Sequence, residues 1–261
     1  MPRLLFIVPA YNEEASVGEV VRALRERYPA AGVLVVNDGS SDRTSAIARE
    51  HGAIVLDLPF NLGIGTAVQS GLMYAMEHRY ELAVQFDGDG QHPVAEIETL
   101  LAPVERDQCD VAIGSRYVAQ SGYQTPVARR TGIRILSFVT RLLVRKRVTD
   151  PTSGFRALNG AAIDFLAREY PHDYPEPESI IALCRNGFRI MEVKVEMRRR
   201  QGGQSSITFL RAIYYMVKVL FGIVIGVTRT ARRSNHNEQS NPDSQPLHRS
   251  AGDVAGRSTH P

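Results

Sequence analysis

The chain has 261 residues, of which 43% are apolar and 23% charged, the composition of an ordinary globular protein with one large domain or two small ones. A net charge of +3, from 31 basic and 28 acidic side chains, is too small to make nucleic-acid binding the main activity. Two cysteines, Cys109 and Cys184, exclude a disulfide framework and a zinc site of four cysteines, and fit a reducing compartment.

From the amino terminus, Arg3 to Val8 is a short apolar run ended by Pro9, the pattern of a buried strand. It is too short for a secretory leader, and none is expected. Val17, Val20, Val21, Leu24 and Tyr28 recur at helical spacing among charges, which predicts an amphipathic helix. Val33 to Val36 is a second strand. Asp38-Gly39-Ser40-Ser41-Asp42 is a turn and helix start, and a short helix runs to about His51. Ala53 to Leu58, Leu82 to Phe86 and Val111 to Ile113 read as strands, with helices over Gly65 to Glu77 and after Pro93.

This alternation predicts βαβ units and a mostly parallel sheet flanked by helices on both faces. Such sheets bind ligands beyond the carboxyl ends of their strands. The loops Pro9–Glu14, Asn37–Asp42, Asn61–Gly65, Asp87–His92 and Gly114–Tyr117 are therefore expected to line one crevice. After Arg116 the alternation is lost. An arginine-rich helix from Arg129 to about Leu143 leads to Asp150-Pro-Thr-Ser-Gly-Phe-Arg156, two further helices and a strand over Ile190 to Met197. A long apolar helix then covers Ile207 to Val227. Ala231 to Pro261 has no apolar periodicity and reads as a disordered tail.

The sharpest chemical feature is Asp87-Gly88-Asp89-Gly90-Gln91-His92, directly after an apolar strand. Two carboxylates one residue apart on a turn can converge on a hard divalent cation that shares its shell with substrate phosphates. An Asp-Gly turn also has this composition for backbone reasons. Asp38 stands where an acid would accept hydrogen bonds from a nucleobase or ribose. Tyr11 and Glu13 offer a ring and a carboxylate on the same rim. For Asp42, Glu13 and Glu14 the alternative is helix capping or complementing the helix dipole.

Pro-Ala-Tyr-Asn-Glu-Glu, Val-Asn-Asp-Gly-Ser-Ser-Asp-Arg-Thr, Asn61-Leu-Gly63, Asp-Gly-Asp-Gly-Gln-His and Gly-Ser-Arg, in this order and spacing, resemble the family 2 glycosyltransferases with the GT-A fold. Within that family the chain looks most like the dolichyl- or polyprenyl-phosphate sugar synthases. The resemblance runs over roughly residues 3 to 228. It implies a nucleotide-sugar donor, a divalent cation (Mg²⁺ or Mn²⁺) and inversion at the anomeric carbon. It implies that Pro9, Tyr11, Glu13 and Asp38 hold the nucleoside, and that Asp87, Gly88 and Asp89 lie against the donor. Asp87, Asp89 and Gln91 would hold the metal on the diphosphate, and Arg116 and Arg200 would contact phosphate. Where the family often has a lysine after its Gly-x-Ser motif, this chain has Ser206. Asp89, Asp150 and Arg116 are the expected catalytic residues, with Asp150 as the acceptor-side carboxylate or else a turn residue. Glu176 and Glu178 are alternatives to Asp150. Arg156 reads as a phosphate contact or a partner of Asp150, and His92 as a diphosphate contact or a plain polar contact. Some relatives carry an acid at the position of Gly154.

The physical chemistry agrees with such roles. A departing nucleoside diphosphate leaves negative charge that a cation and a planar guanidinium stabilise. A lipid phosphate acceptor is already ionised and needs positioning, whereas a sugar hydroxyl acceptor would need a base. The helix Ile207–Val227 spans ~30 Å at ~1.5 Å per residue, the thickness of a bilayer core. Arg211 and Lys218 interrupt it, which fits a helix lying in the interface better than a span. A core helix closing the domain is the third reading. The expected organisation is a GT-A domain over 1–206, an amphipathic interfacial helix over 207–230 and a tail over 231–261. The expected partners are the donor, a lipid phosphate acceptor and the cytosolic face of a membrane, with a homo-oligomer open. The rival activities are transfer to a saccharide hydroxyl of a lipid-linked or surface glycan, and a non-catalytic nucleotide-sugar sensor. A processive polysaccharide synthase is disfavoured, because its Gln-x-x-Arg-Trp motif needs a tryptophan and the chain has none.

Overall fold

The computed structural model describes residues 3–88, 90, 92–115, 137, 148–171 and 175–196. Among the described residues seven strands form one sheet: β1 (Leu4–Ala10), β2 (Gly32–Asn37), β3 (Ile54–Asp57), β4 (Leu82–Gln85), β5 (Val111–Ser115), β6 (Arg156–Asn159) and β7 (Ile190–Lys194). Their spatial order is β3-β2-β1-β4-β6-β5-β7. β1 is the most apolar of them and is buried almost throughout, as a strand covered on both faces requires. Phe6, Val8 and Ala10 enter one core, and Leu5 and Ile7 the other, the period-two alternation of a strand.

The first core is closed by α1 (Val17–Arg27), α2 (Thr44–Glu50) and α4 (Ile97–Glu105). The second is closed by α3 (Ile64–Glu77), α5 (Gly160–Glu169) and α6 (Pro175–Arg185). α1 shows why the spacing is informative: Val17, Val20, Val21 and Leu24 are its buried face, at the i, i+3, i+4, i+7 positions of one helical stripe.

β1 pairs in parallel with both β2 and β4. The chain leaves toward β3 on one side and returns to β4 on the other, so the order reverses between β1 and β4. A reversal of this kind opens a crevice at the carboxyl ends of those two strands, where Pro9–Glu14 and Asp87 lie.

One strand departs from the sequence expectation. β6 is antiparallel to both neighbours, with Gln85 opposite Arg156 and Ile113 also opposite Arg156. It is four residues, Arg-Ala-Leu-Asn, running straight into α5, too short and too polar at its ends to show a period. Its direction matters for the site. An antiparallel strand brings the loop that precedes it, rather than the one that follows, to the carboxyl end of β4. The expected helix Ile207–Val227 and the tail from Ala231 lie outside the described residues, as does all of the expected helix Arg129–Leu143 except Ser137. Among the described residues no helix is long and apolar enough to cross a membrane.

Candidate active site

The first three crevice loops are bound to one another. The Asn12 backbone N–H donates to Ser40 Oγ at 2.9 Å, and Asn12 Oδ1 accepts from the Ser41 N–H at 2.9 Å. These bonds hold Asn12 at φ 53°, a left-handed conformation that asparagine tolerates better than most residues. The Glu13 N–H donates to Thr44 Oγ1 at 2.8 Å, and Glu13 Oε2 accepts from Ser16 Oγ at 2.8 Å. Tyr11 stands beside them, about half exposed. Pro9 is buried at the end of β1, opposite Val36.

Asp38 is buried, and its two carboxylate oxygens accept from the Leu62 and Gly63 backbone N–H groups at 2.7 and 2.9 Å. Its carboxylate thus fixes the loop before α3. Next to it Gly39 has φ +68°, and a Cβ there would come within 2.4 Å of the Phe60 carbonyl carbon. Glycine is required on both counts, the conformation and the space. Asp42, half-buried and pulled up by what burial it has, is held below its ordinary range by hydrogen bonds from Thr44 and the Glu14 backbone. It serves as the capping acid that the alternative reading foresaw.

Asp87 follows β4, with its side chain one-third exposed. Its Oδ2 lies 2.9 Å from His92 Nε2. His92 is buried and stacks on Phe155, with centroids 4.6 Å apart at 24°. Phe86 meets the edges of both rings at 5.7 Å. Gly88 is buried against the Pro9 carbonyl, which a Cβ would approach to 3.3 Å. Gly88 is therefore seated on the start of the first loop.

Gly154 comes to Asp87 from the other side. A Cβ at Gly154 would lie 3.0 Å from Gln85 Nε2 and 3.2 Å from Asp87 Oδ1. Asp150, in the same loop, is fully buried, and its Oδ1 accepts from Thr152 Oγ1 at 3.1 Å. Arg156 is buried as well, and its guanidinium donates to the Ser153 carbonyl (2.9 Å), Ser179 Oγ (2.6 Å) and the Glu176 carbonyl (2.8 Å). It fastens the loop to α6 and faces inward, the arrangement of the structural alternative. Burial pushes the Glu176 carboxyl up, with Arg156 pulling it down and Asp87 pushing it further up.

Of the expected site residues, Pro9, Tyr11, Glu13, Asp38, Asp87, Gly88 and Asp150 are described, all at the carboxyl edge of the sheet. Asp89, Gln91, Arg116 and Arg200 lie outside the described residues. Of the expected metal ligands only Asp87 is among the described residues, and no group of three His, Cys, Asp or Glu side chains is assembled there. What is described fits a hard cation: a carboxylate at the switch point, steadied by an imidazole on one oxygen and unobstructed by any side chain at 154. Sequence reasoning missed Gln85, Thr149 and Glu192. Glu192 lies in an edge strand 43 residues from Thr149, and no local pattern joins them.

The family model for glycosyl transferase family 2 matches residues 5–165, more than half of the chain. The protein belongs to glycosyl transferase family 2. It is a glycosyltransferase with a GT-A-type fold. Among family 2 relatives, an undecaprenyl-phosphate mannosyltransferase of Micrococcus luteus is 31% identical over 215 residues, covering 79% of this chain and 88% of its own. A UDP-N-acetylglucosamine–dolichyl-phosphate N-acetylglucosaminyltransferase of Methanococcus voltae is 30% identical over 213 residues, covering 74% and 84%. The fold is also that of Mycobacterium tuberculosis glucosyl-3-phosphoglycerate synthase, solved with Mn²⁺, UDP and glucosyl-3-phosphoglycerate. Its TM-score is 0.63 at 20% identity, over 78% of this chain and 73% of that one.

Proposed function

We propose that the protein transfers a sugar from a nucleotide-sugar donor to a polyprenyl (dolichyl-type) phosphate, with inversion, at the cytosolic face of a membrane. The observation that carries this reading is the place of Gly154. It sits against Asp87, where a Cβ would already be within 3.2 Å of the carboxylate. The wall nearest the donor's charged end thus holds no side chain that could serve as a base at that position. An acceptor that arrives ionised, such as a phosphate monoester, needs no base there, whereas a hydroxyl does. Relatives at 30 and 31% identity named for transfer to dolichyl and undecaprenyl phosphate support the same acceptor class.

In this reading Pro9, Tyr11, Glu13 and Asp38 hold the nucleoside. Asp87, Asp89 and Gln91 would hold Mg²⁺ or Mn²⁺, a divalent cation being consistent with the Mn²⁺ and UDP in the fold relative. When bound, the cation would neutralise charge on the departing diphosphate. Arg116 and Arg200 would share that charge with planar, bidentate donors. Asp150 and its loop would form the acceptor wall. The acceptor oxygen forms its bond to the anomeric carbon as the bond to the nucleoside diphosphate breaks on the opposite face. No covalent intermediate with the protein is needed. The segment 207–230 would lie in the membrane interface, near which the lipid phosphate is found.

The test is transfer of label from UDP-glucose, UDP-N-acetylglucosamine or GDP-mannose to undecaprenyl phosphate in detergent micelles, with and without chelator. Label extracted as a glycosyl lipid phosphate, and lost in excess chelator, supports the reading. Label entering only a saccharide hydroxyl acceptor overturns it.

A further inference from the structure

The loop carrying Asp150 is held by a carboxylate on the far strand of the sheet. Glu192 lies on β7, opposite Ile113 of β5. Its Oε1 accepts from the Asp150 backbone N–H at 2.8 Å. The Thr149 N–H reaches both carboxylate oxygens at 2.8 Å, and Thr149 Oγ1 donates to Oε2 at 3.0 Å. Thr149 Oγ1 also lies 2.9 Å from Ser115 Oγ. Its one hydroxyl proton is directed at Glu192, so Ser115 is the donor in that bond. One side chain thereby fixes two segments, the Asp150 loop and the strand end that leads into Arg116.

We propose that Glu192 is a positioning residue for the acceptor half of the site: its carboxylate sets the Thr149–Asp150 backbone and, through the Thr149 hydroxyl, the end of β5. The inference rests on the function proposed above for its enzymatic consequence, though not for the clamp itself. Every described hydrogen bond to Glu192 comes from a donor, so an ionised carboxylate satisfies all of them at once. An amide cannot, because its NH₂ would face a backbone N–H, donor against donor. The loop reaches the metal-side carboxylate four residues later, where a Cβ at Gly154 would lie 3.2 Å from Asp87 Oδ1. Displacement of the backbone at 149–150 is therefore transmitted to the space in front of Asp87. The nucleoside loops are bound to one another through Asn12, Asp38 and Asp42 on the other side of the sheet, with no link to Glu192 among the described hydrogen bonds.

The experiment compares wild type, Glu192→Gln and Thr149→Val. Steady-state kinetics use undecaprenyl phosphate micelles and the best of the three nucleotide sugars named above, and amide hydrogen exchange is read on peptides over 148–155. For Glu192→Gln, kcat/KM for undecaprenyl phosphate is expected to fall at least tenfold, with the nucleotide-sugar KM within twofold of wild type. Exchange at Thr149 and Asp150 should be at least tenfold faster, with β1–β4 unchanged. Thr149→Val, which removes a hydroxyl and no charge, should shift the same quantities less and keeps the test alive should Glu192→Gln not fold. Unchanged exchange at 149–150, or a donor KM that rises as much as the acceptor KM, overturns the proposal. Absence of transfer to lipid phosphate by the wild type would defeat the functional reading, while the exchange result would still decide the clamp.

Discussion

His92 holds Asp87 from behind: its Nε2 lies 2.9 Å from Asp87 Oδ2, and its ring is stacked on Phe155. The imidazole is buried, and no hydrogen-bond partner is described for its Nδ1. The Asp87 bond is therefore its one described polar contact, and packing between Phe86 and Phe155 sets the ring's direction. Outer hydrogen bonds of this kind orient metal-binding carboxylates and typically contribute 10–100-fold to affinity or activity.

His92→Ala is accordingly expected to weaken Mg²⁺ or Mn²⁺ dependence by roughly 10–100-fold. Asp87→Ala should remove at least about two orders of magnitude of turnover. Metal titration of sugar transfer, with circular dichroism confirming the fold, measures both. Full activity of Asp87→Ala in excess chelator would remove the metal assignment.

Gly154→Ala places a methyl 3.2 Å from Asp87 Oδ1 and 3.0 Å from Gln85 Nε2. The overpacking should cost about 1–3 kcal/mol and lower activity. Gly154→Asp adds a like charge beside Asp87 and should be far worse for turnover than for folding. Kinetics alongside a urea titration separate the two effects. Equal activity of Gly154→Asp and wild type would show that this wall does not face the reaction.

Arg156→Met strips donors from the Ser153 carbonyl, Ser179 Oγ and the Glu176 carbonyl in a buried place. A loss of at least about 3 kcal/mol is expected, read as the shift of the urea midpoint. A loss below about 1 kcal/mol would mean that the loop and α6 hold together without it.

The contrast between Arg156 and the first loops shows what a sequence can and cannot convey. Pro9–Glu14, Asn37–Asp42 and Asp87–His92 stand at the ends of apolar runs and contain the short polar residues that turns require, so their place at one edge follows from the alternation of strands and helices. The inward direction of Arg156 does not follow. It depends on β6, whose four residues are too few to declare a period, and on partners 20 or more residues away. Glu192 is hidden for the same reason. Asp42 shows the reverse case, in which a purely local capping pattern was readable and is present.

Asp110 gives a pH dependence with a definite sign. Hydrogen bonds from the Arg189 side chain, opposed by burial and helped by the Arg189 backbone and Asn159, hold its carboxyl below the usual aspartate value. A depressed folded-state pKa means that this stabilisation is complete above the ordinary aspartate pKa. It is lost as pH falls through the depressed value. Asp110→Asn should therefore lower Tm by roughly 2–6 °C at pH 7, with the difference from wild type shrinking below about pH 4. A constant difference from pH 7 to pH 2 would contradict the assignment.

The segment after Ser206 carries the proposed membrane contact. A chain ending at Ser206 should leave liposomes of mixed anionic and neutral lipid while still binding UDP or GDP, as flotation and equilibrium dialysis would show. Arg211→Glu with Lys218→Glu should weaken flotation in a salt-dependent way. If the shortened chain floats as well as the full chain, the contact lies elsewhere.

The antiparallel β6 also orders events in time. It begins at residue 156, after β1 to β5 have been made, and pairs with β5 at residue 113 and with β4 at residue 85. The sheet is joined between β4 and β5 only once this strand has been made. During synthesis the nucleoside loops are thus complete while the residues that face Asp87 are still unmade. A chain arrested before β6 would hold the parts of a nucleotide shelf with nothing opposite it. On the proposed function, nucleotide capture and sugar transfer would be acquired at different chain lengths, in that order.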